Sequence, residues 1–193
     1  MKMFHKAIVC AALMLCLPAC VSTDPFDNLT RKAGKGDAEA QYILGRYHYG
    51  GDYADKEEAF KWFKKAAEQG HAEAQYRLGA CYNGKSDDWK EDAAQAFKWY
   101  RKAAEQGHAK AQICTGLDYE YGIGVNMDTA EAFKWYRKAA EQGAVDAQTI
   151  LGERYASGDN GVDKDIAEAV KWYTKAAAQG SRLAQDALKK LTE

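Results

Sequence analysis

The sequence AFKWYRKAAEQG at residues 132–143 decides the fold, because close copies of it recur along the chain. The copies read AFKWFKKAAEQG at 59–70, AFKWYRKAAEQG at 96–107 and AVKWYTKAAAQG at 169–180. Self-similarity at a fixed period is typical of repeat architectures. The sequence therefore predicts a chain of tandem structural units.

Each copy is predicted to form one helix of about four turns with a cap at each end. Asp128 lies four residues before its copy and 15 before the closing Gly143, and a Glu follows this aspartate at the third position. That arrangement is a capping box, in which both side chains bond to free N–H groups of the helix start, and a closing glycine suits a helix C-terminus. The same spacing recurs at Asp55, Asp92 and Asp165. In the copy at 59–70, one helical stripe contains Ala59, Trp62, Phe63, Ala66 and Ala67.

A second helix is predicted after each closing glycine. The segments read DAEAQYILG at 37–45, HAEAQYRLG at 71–79, HAKAQICTG at 108–116 and AVDAQTILG at 144–152. Each ends in a glycine nine residues after the preceding closing glycine, whereas the distance from that glycine to the next capping aspartate varies from 10 to 13. Because length variation is confined to one connection, the helices are the fixed parts. The predicted fold is all-α, a solenoid of tandem helix-turn-helix units.

Four glycines inside these helices need a structural reason, because Gly costs roughly 1 kcal/mol relative to Ala in a helix interior. They are Gly45, Gly79, Gly116 and Gly152, and they alternate along the chain with Trp62, Trp99, Trp135 and Trp172. We expect each glycine to let a neighbouring helix and its indole come close. We also expect all four indoles to lie in the core.

Residues 1–19 are predicted to be a secretory signal. Lys2 and Lys6 precede an apolar run at 7–17 that is too short to cross a membrane as a permanent helix. Loss of these two lysines would change the formal net charge from −1 to −3. Such a near-neutral balance gives no support for nucleic-acid binding, which favours a basic face.

The apolar run ends in LPAC at residues 17–20, which resembles a bacterial lipoprotein lipobox. The resemblance implies lipidation of Cys20. Because Val21 rather than Asp follows, it also implies an anchor on the periplasmic side of the outer membrane. Ordinary signal cleavage near Ala19, which would leave a soluble periplasmic or exported protein, stays open.

The predicted domain organisation is a polar tether at 20–28 followed by the solenoid at 29–193. Its repeats lie at about 36–70, 71–107, 108–143 and 144–180, with a capping helix at 181–193. A final half-repeat with a charged tail is what a solenoid needs to shield its last apolar face.

Two cysteines, Cys81 and Cys114, lie within the predicted repeats. They occupy equivalent helices of successive repeats but are displaced by four residues, about 6 Å along the helix axis. With a further 8 to 10 Å, roughly, between helices, they are beyond disulfide reach. We expect two free, partly buried thiols.

The combined pattern A-x-x-x-L-G-x-x-Y, G-x-G-V-x-x-D and A-x-x-W-x-x-K-A-A-x-x-G is similar to the Sel1-like repeat, a relative of the tetratricopeptide repeat. The third copy carries nearly all of it: Gly116, Tyr119, Gly122, Gly124, Val125, Asp128, Ala132, Trp135, Lys138, Ala139, Ala140 and Gly143. It departs where Thr115 replaces the expected Leu. The resemblance implies a right-handed superhelix of paired helices whose inner surface binds a protein or peptide, and therefore an adaptor without enzymatic activity.

One face of the glycine-bearing helices changes character from repeat to repeat. Its positions are Tyr42, Arg46 and Tyr49; Tyr76, Ala80 and Asn83; Ile113, Leu117 and Glu120; then Thr149, Glu153 and Ala156. We hypothesise a concave groove, aromatic at its N-terminal end and apolar around Ile113 and Leu117, that anchors a partner segment. The alternative is that these tyrosines only pack between neighbouring helices. Trp89, in a longer loop, is either a further recognition residue or packs on its own solenoid.

No combination of nucleophile, base and orienting group is evident, and neither is a phosphate-binding loop. His71 and His108 each follow a closing glycine and lack a second ligand at the i+4 spacing of a zinc site, so we interpret them as helix starts. We therefore expect no metal, no cofactor and a monomer. The alternative function is an envelope enzyme of the penicillin-binding or β-lactam-hydrolysing kind described for cysteine-rich relatives. This chain lacks their regular cysteine pairs and has no Ser-x-x-Lys or Lys-Thr-Gly motif.

Overall fold

The computed structural model describes residues 24–50, 55–84, 92–159 and 161–192, and these residues form ten helices and no strand. In chain order the helices are α1 (Pro25–Gly34), α2 (Ala38–Tyr49), α3 (Lys56–Glu68), α4 (Ala72–Asn83), α5 (Ala93–Glu105), α6 (Ala109–Tyr121), α7 (Thr129–Glu141), α8 (Val145–Ser157), α9 (Ile166–Ala178) and α10 (Arg182–Thr192). The predicted all-α fold is confirmed. Cys20, the signal and Trp89 lie outside the described residues, so their assignments stay predictions.

The helices form tandem hairpins, as the sequence predicted. We call α2, α4, α6 and α8 the first helices of the four repeats, and α3, α5, α7 and α9 the second helices. Each helix packs mainly on its neighbours in sequence, most extensively on its partner within a repeat. The result is an α-solenoid.

An aspartate caps the start of each of the second helices, α3, α5, α7 and α9. Asp128 Oδ1 accepts the backbone N–H of Glu131 at 2.9 Å, and equivalent bonds are made by Asp55, Asp92 and Asp165. The other half of the predicted capping box differs from expectation. The carboxylates of Glu131 and Glu168 pair with Lys134 and Lys171, because a lysine three residues later lies on the same side of the helix.

The predicted tether is shorter than expected, because α1 begins at Pro25, four residues before the predicted start of the solenoid. Asp24 accepts the N–H of Phe26 at 3.0 Å and caps this helix. Proline at the first helical position needs no hydrogen-bond partner and has a helical φ. These two residues therefore start a helix inside a segment whose polar composition suggested a tether.

The glycines of the first helices accommodate an aromatic ring, but the prediction that this ring is the indole is wrong. A Cβ atom at Gly116 would lie 2.5 Å from Cε1 of Tyr136, the residue that follows Trp135. The rings facing Gly45, Gly79 and Gly152 are those of Phe63, Tyr100 and Tyr173. Successive helical side chains point about 100° apart, so the tryptophan and the next residue face different neighbours. The glycine and this ring form what we call the socket of each repeat.

The indoles instead pack at the junctions between repeats. Trp135 shares a cluster with Ala103 and Ala104 of the preceding second helix. Trp99, Trp135 and Trp172 expose 8%, 5% and 7% of their surface. Trp62 is only half-buried, because α1 offers the single buried Ala33 where later second helices offer two alanines.

A lysine covers each indole from the solvent side. Lys138 Nζ lies 3.9 Å from the ring centroid of Trp135. Lys65, Lys102 and Lys175 lie 4.0–4.3 Å from the equivalent indoles. These cation–π contacts explain why Lys follows Trp at the third position of every copy.

A ladder of glutamine side chains links successive repeats. Gln112 donates to the carbonyl of Ala104 at 3.2 Å, and its own oxygen accepts from Gln142 at 2.7 Å. The same two bonds are made by Gln41, Gln75 and Gln148. Because buried amides must be hydrogen-bonded, the ladder fixes how each first helix sits on the preceding repeat.

Helix α10 repeats the start of a first helix and is the last helix in the described part of the chain. Gln185 takes the position of Gln148 and donates to the carbonyl of Ala177. The position of the socket glycine, Gly152, is occupied by Lys189. By analogy with the sockets, a side chain at this position would overlap a ring placed as Tyr173 is against Gly152.

Candidate partner-binding face

The predicted binding positions on the first helices, apart from Glu120, form what we call the first-helix face: Tyr42, Arg46, Tyr49, Tyr76, Ala80, Asn83, Ile113, Leu117, Thr149, Glu153 and Ala156. Residues 42, 46 and 49 follow one another by a helical turn on α2, so they share a stripe. In the structure, packing between repeats buries some of these residues and leaves others accessible.

Two of the tyrosines pack between repeats. The ring of Tyr42 stacks on that of His71 with 4.7 Å between centroids, and Tyr76 stacks on His108 at 4.8 Å. Tyr42 is 9% exposed, so little of its ring remains for a partner. Tyr76 is half-buried. The alternative that these tyrosines pack between neighbouring helices therefore describes Tyr42 best.

The stacked histidines are helix caps that bridge repeats. Nδ1 of His108 accepts the N–H of Ala111 at 3.1 Å, and Nε2 lies 2.7 Å from Oε2 of Glu73. Because Nδ1 accepts, the ring hydrogen lies on Nε2 and donates to the carboxylate. His71 makes the same two contacts, with Glu39 as its acid. The part of the chain that is described contains no group of three or more metal-ligating side chains.

The same junction is built differently in the last two repeats. Ile113 takes the place of the tyrosine and Ala144 that of the histidine, and both pack on the cluster around Tyr136. At the next junction, Thr149 Oγ1 lies 3.2 Å from Ser181 Oγ. One position thus changes from stacked aromatic rings to an apolar contact to a pair of hydroxyls.

The accessible part of the first-helix face has a chemical gradient. At its N-terminal end Arg46 is exposed and Tyr49 exposes 47% of its surface. In the middle, Ile113 and Leu117 are half-buried and pack partly on the core beneath them. At the C-terminal end Glu153 is exposed. A partner would meet a cationic and aromatic end, an apolar centre and an acidic end.

Glu120, which the sequence placed on this face, belongs instead to a buried network. It is 4% exposed, accepts the hydroxyl of Tyr136 at 2.6 Å, and lies 2.6 Å from a guanidinium nitrogen of Arg154 in the next repeat. Burial, and then the bond to Glu120, raise the pKa of Tyr136. The partners were not evident from sequence, because Glu120 and Arg154 come from different repeats.

Asp118 is a second buried acid that sequence analysis missed. It is 5% exposed, and its Oδ2 has no hydrogen-bond partner among the residues described. Burial raises the pKa of this carboxyl to about 7. The position of Asp118 in its repeat could have indicated its burial. It lies two residues after a socket glycine, where the second repeat has the buried Cys81.

Cys81 and Cys114 are free thiols, Cys81 buried and Cys114 half-buried. Burial raises the pKa of both thiols to about 12. Because the thiolate is the reactive form, neither is suited to nucleophilic chemistry at neutral pH.

Comparison with known proteins agrees with the resemblance to the Sel1-like repeat. The sequence model of the Sel1 repeat matches residues 38–71, 72–108, 109–143 and 145–181. A sequence comparison with curated proteins gave no match.

Among solved structures, a protective antigen present in uropathogenic Escherichia coli strains, with an SLR fold, is 42% identical with a TM-score of 0.77, over 82% of this chain and 34% of that protein. A Sel1 repeat protein from Oxalobacter formigenes is 40% identical with a TM-score of 0.76, over 84% of this chain and 67% of that one. Helicobacter pylori cysteine rich protein B is 26% identical with a TM-score of 0.55, over 72% of this chain and 99% of that protein. The chain thus spans about a third of the length of the first of these proteins.

Proposed function

Because this chain belongs to the Sel1 repeat family, we propose that it is a non-enzymatic scaffold, lipid-anchored in the bacterial envelope, that binds a partner protein or peptide on its first-helix face. The observation that carries the proposal is a contrast between two sets of positions. Every repeat has a socket with an aromatic ring, an indole at its junction and the same two glutamine bonds, whereas the accessible residues of the first-helix face differ. Packing fixes the first set and leaves the second available for recognition.

The gradient on the first-helix face suits a partner segment with an apolar centre. Ile113 and Leu117 are half-buried, so they are held in place before binding and can form an apolar anchor site at low entropic cost. The exposed Arg46 and Glu153 lie towards opposite ends and favour acidic and basic groups of the partner respectively. Charges at the rim of an interface mainly set orientation and association rate.

The envelope anchor rests on the sequence of residues 1–20. The short apolar run followed by LPAC implies acylation of Cys20, and several acyl chains would make the attachment stable. Outer-membrane attachment facing the periplasm is the location we propose, with a soluble periplasmic or exported form as the alternative. No helix in the described ranges combines the length and apolar character needed to cross a bilayer.

The enzyme alternative gains no support from the described residues. In the buried cluster of Glu120, Tyr136 and Arg154, the carboxylate of Glu120 binds both the Tyr136 hydroxyl and a guanidinium nitrogen of Arg154. A nitrocefin turnover assay on the purified chain tests this alternative, and we expect no hydrolysis.

Affinity purification from solubilised envelopes tests the proposal. Wild-type protein should retain a partner that Leu117→Asp loses, because a carboxylate cannot be buried against an apolar segment without a large desolvation cost. Lys134→Glu is the control, since Lys134 is exposed and belongs to α7, a second helix. Retention of every partner by Leu117→Asp would rule out this binding face.

A further inference from the structure

The N-terminal end of the solenoid carries an exposed apolar cluster that packing does not explain. Phe26 and Ile43 each expose 39% of their surface, and Tyr47 exposes 61%. The rings of Phe26 and Tyr47 are 4.9 Å apart, and Ile43 lies one helical turn before Tyr47. We call these three residues the end cluster.

The later repeats cover the position that Tyr47 occupies more completely than the first repeat does. Tyr47 lies two residues after its socket glycine, and the equivalent residues are Cys81, Asp118 and Arg154. Cys81 and Asp118 are 1% and 5% exposed. Arg154 reaches into the preceding repeat to pair with Glu120. A preceding repeat thus contacts this position in repeats two to four, whereas the helix described before the first repeat is the single helix α1.

An uncovered end of a solenoid normally carries polar residues, because a capping repeat must be soluble on its outer side. Helix α10 has the polar Lys189 at the socket position and one strongly exposed apolar residue, Leu183. The N-terminal end instead presents two aromatic rings and an isoleucine side by side. A contiguous apolar patch of this kind indicates a contact surface.

The chain preceding the cluster indicates what covers it. Cys20 lies only four residues before Asp24, the residue that caps α1, a span of at most about 14 Å. An acyl anchor on Cys20 would therefore hold Phe26 within roughly 20 Å of the bilayer surface. Aromatic side chains are favoured at the membrane–water interface, where the ring meets acyl chains and a tyrosine hydroxyl stays hydrated.

We propose that the end cluster of Phe26, Ile43 and Tyr47 docks into the lipid headgroup region of the membrane that anchors Cys20. This inference rests on the lipid anchor of the proposed function. Docking through the end of the solenoid places successive repeats farther from the bilayer. The first-helix face then stays open to a partner along its whole length.

The test uses the acylated mature protein, which begins at Cys20, purified from membranes and reconstituted into vesicles of phosphatidylethanolamine and phosphatidylglycerol. Tyr47→Cys is labelled with an environment-sensitive nitrobenzoxadiazole dye, and vesicles with a nitroxide on the headgroup quench any dye that lies at the interface. Burial raises the pKa of the Cys81 and Cys114 thiols to about 12, so the new exposed thiol reacts selectively. Leu183→Cys, 69% exposed at the start of α10, is the matched control.

Docking predicts severalfold stronger quenching of the dye at position 47 than at 183, and predicts that Phe26→Asp with Ile43→Asp reduces quenching at 47 to the control level. Equal quenching at both positions on vesicles that do carry the protein would overturn the docking and leave the anchor intact. Failure of the protein to float with vesicles at all would contradict the anchor, and the docking with it.

Discussion

The ring of Tyr136 lies so close to Gly116 that a Cβ atom on the glycine would come within 2.5 Å of Tyr136 Cε1. Equivalent contacts occur in all four repeats, with Phe63, Tyr100 and Tyr173 as the rings. Each socket joins the two helices of one repeat, while each indole joins one repeat to the preceding one. In the repeat motif WY or WF, the tryptophan thus packs between repeats, and the adjacent Tyr or Phe packs within its own repeat.

Gly116→Ala should destabilise the protein by about 1–3 kcal/mol, because the added methyl group overpacks the socket. Gly34→Ala is the control, since a Cβ there meets nothing within 4 Å. It should be neutral or stabilise by up to about 1 kcal/mol through helix propensity. Free energies of unfolding from urea titrations check both values. Equal effects of the two substitutions would contradict the socket.

Gln112→Leu should cost about 1–3 kcal/mol, because it removes two hydrogen bonds of a buried amide, one to the Ala104 carbonyl and one from the Gln142 amide. Gln185→Leu in α10 should cost much less, since Gln185 is exposed and makes one long bond of 3.4 Å. Urea titrations of the two variants measure the difference. If the glutamine ladder did not stabilise the fold, the two substitutions would give small and similar changes in the free energy of unfolding.

Arg154→Met should destabilise by about 3–5 kcal/mol, because it removes the guanidinium that pairs with the buried carboxylate of Glu120. Arg137→Met removes a pair with Glu141 in which both side chains are 58% exposed. That exposed pair is expected to contribute at most about 1 kcal/mol. Thermal unfolding of both variants under the same conditions checks the prediction, and a comparable loss from Arg137→Met would contradict it.

Asp118 should make stability depend on pH. Its folded-state pKa of about 7 lies above that of an unfolded aspartate, about 3.9. Between these values the folded protein binds more protons than the unfolded chain, so the stability that Asp118 contributes falls as pH rises and is lost above about pH 7. The full effect is on the order of a few kcal/mol.

Asp118→Asn should therefore be more stable than wild type at pH 8, and the difference should shrink towards pH 4. Urea titrations at several pH values measure it, with Asp146→Asn, an exposed acid on α8, as the control. A constant difference between Asp118→Asn and wild type across this range would show that ionisation of Asp118 plays no part.

Sequence periodicity was sufficient to predict the helices, their aspartate caps and their order, because each depends on local spacing that recurs four times. It was not sufficient to predict which aromatic residue fills the socket, since Trp135 and Tyr136 are adjacent and only the packed helices show which neighbour each faces. The stack of Tyr42 on His71 and the pair of Glu120 with Arg154 join residues about 30 positions apart. Such contacts depend on how one repeat packs on the next. The sequence of a single repeat does not determine that arrangement.

Photo-crosslinking in intact cells is the sharpest test of a binding face on the first helices. A benzoylphenylalanine introduced at Leu117 is expected to form one defined protein adduct on irradiation, whereas the same probe at Lys134 on α7 forms none. No adduct at position 117, or the same adduct from both positions, would contradict recognition through this face.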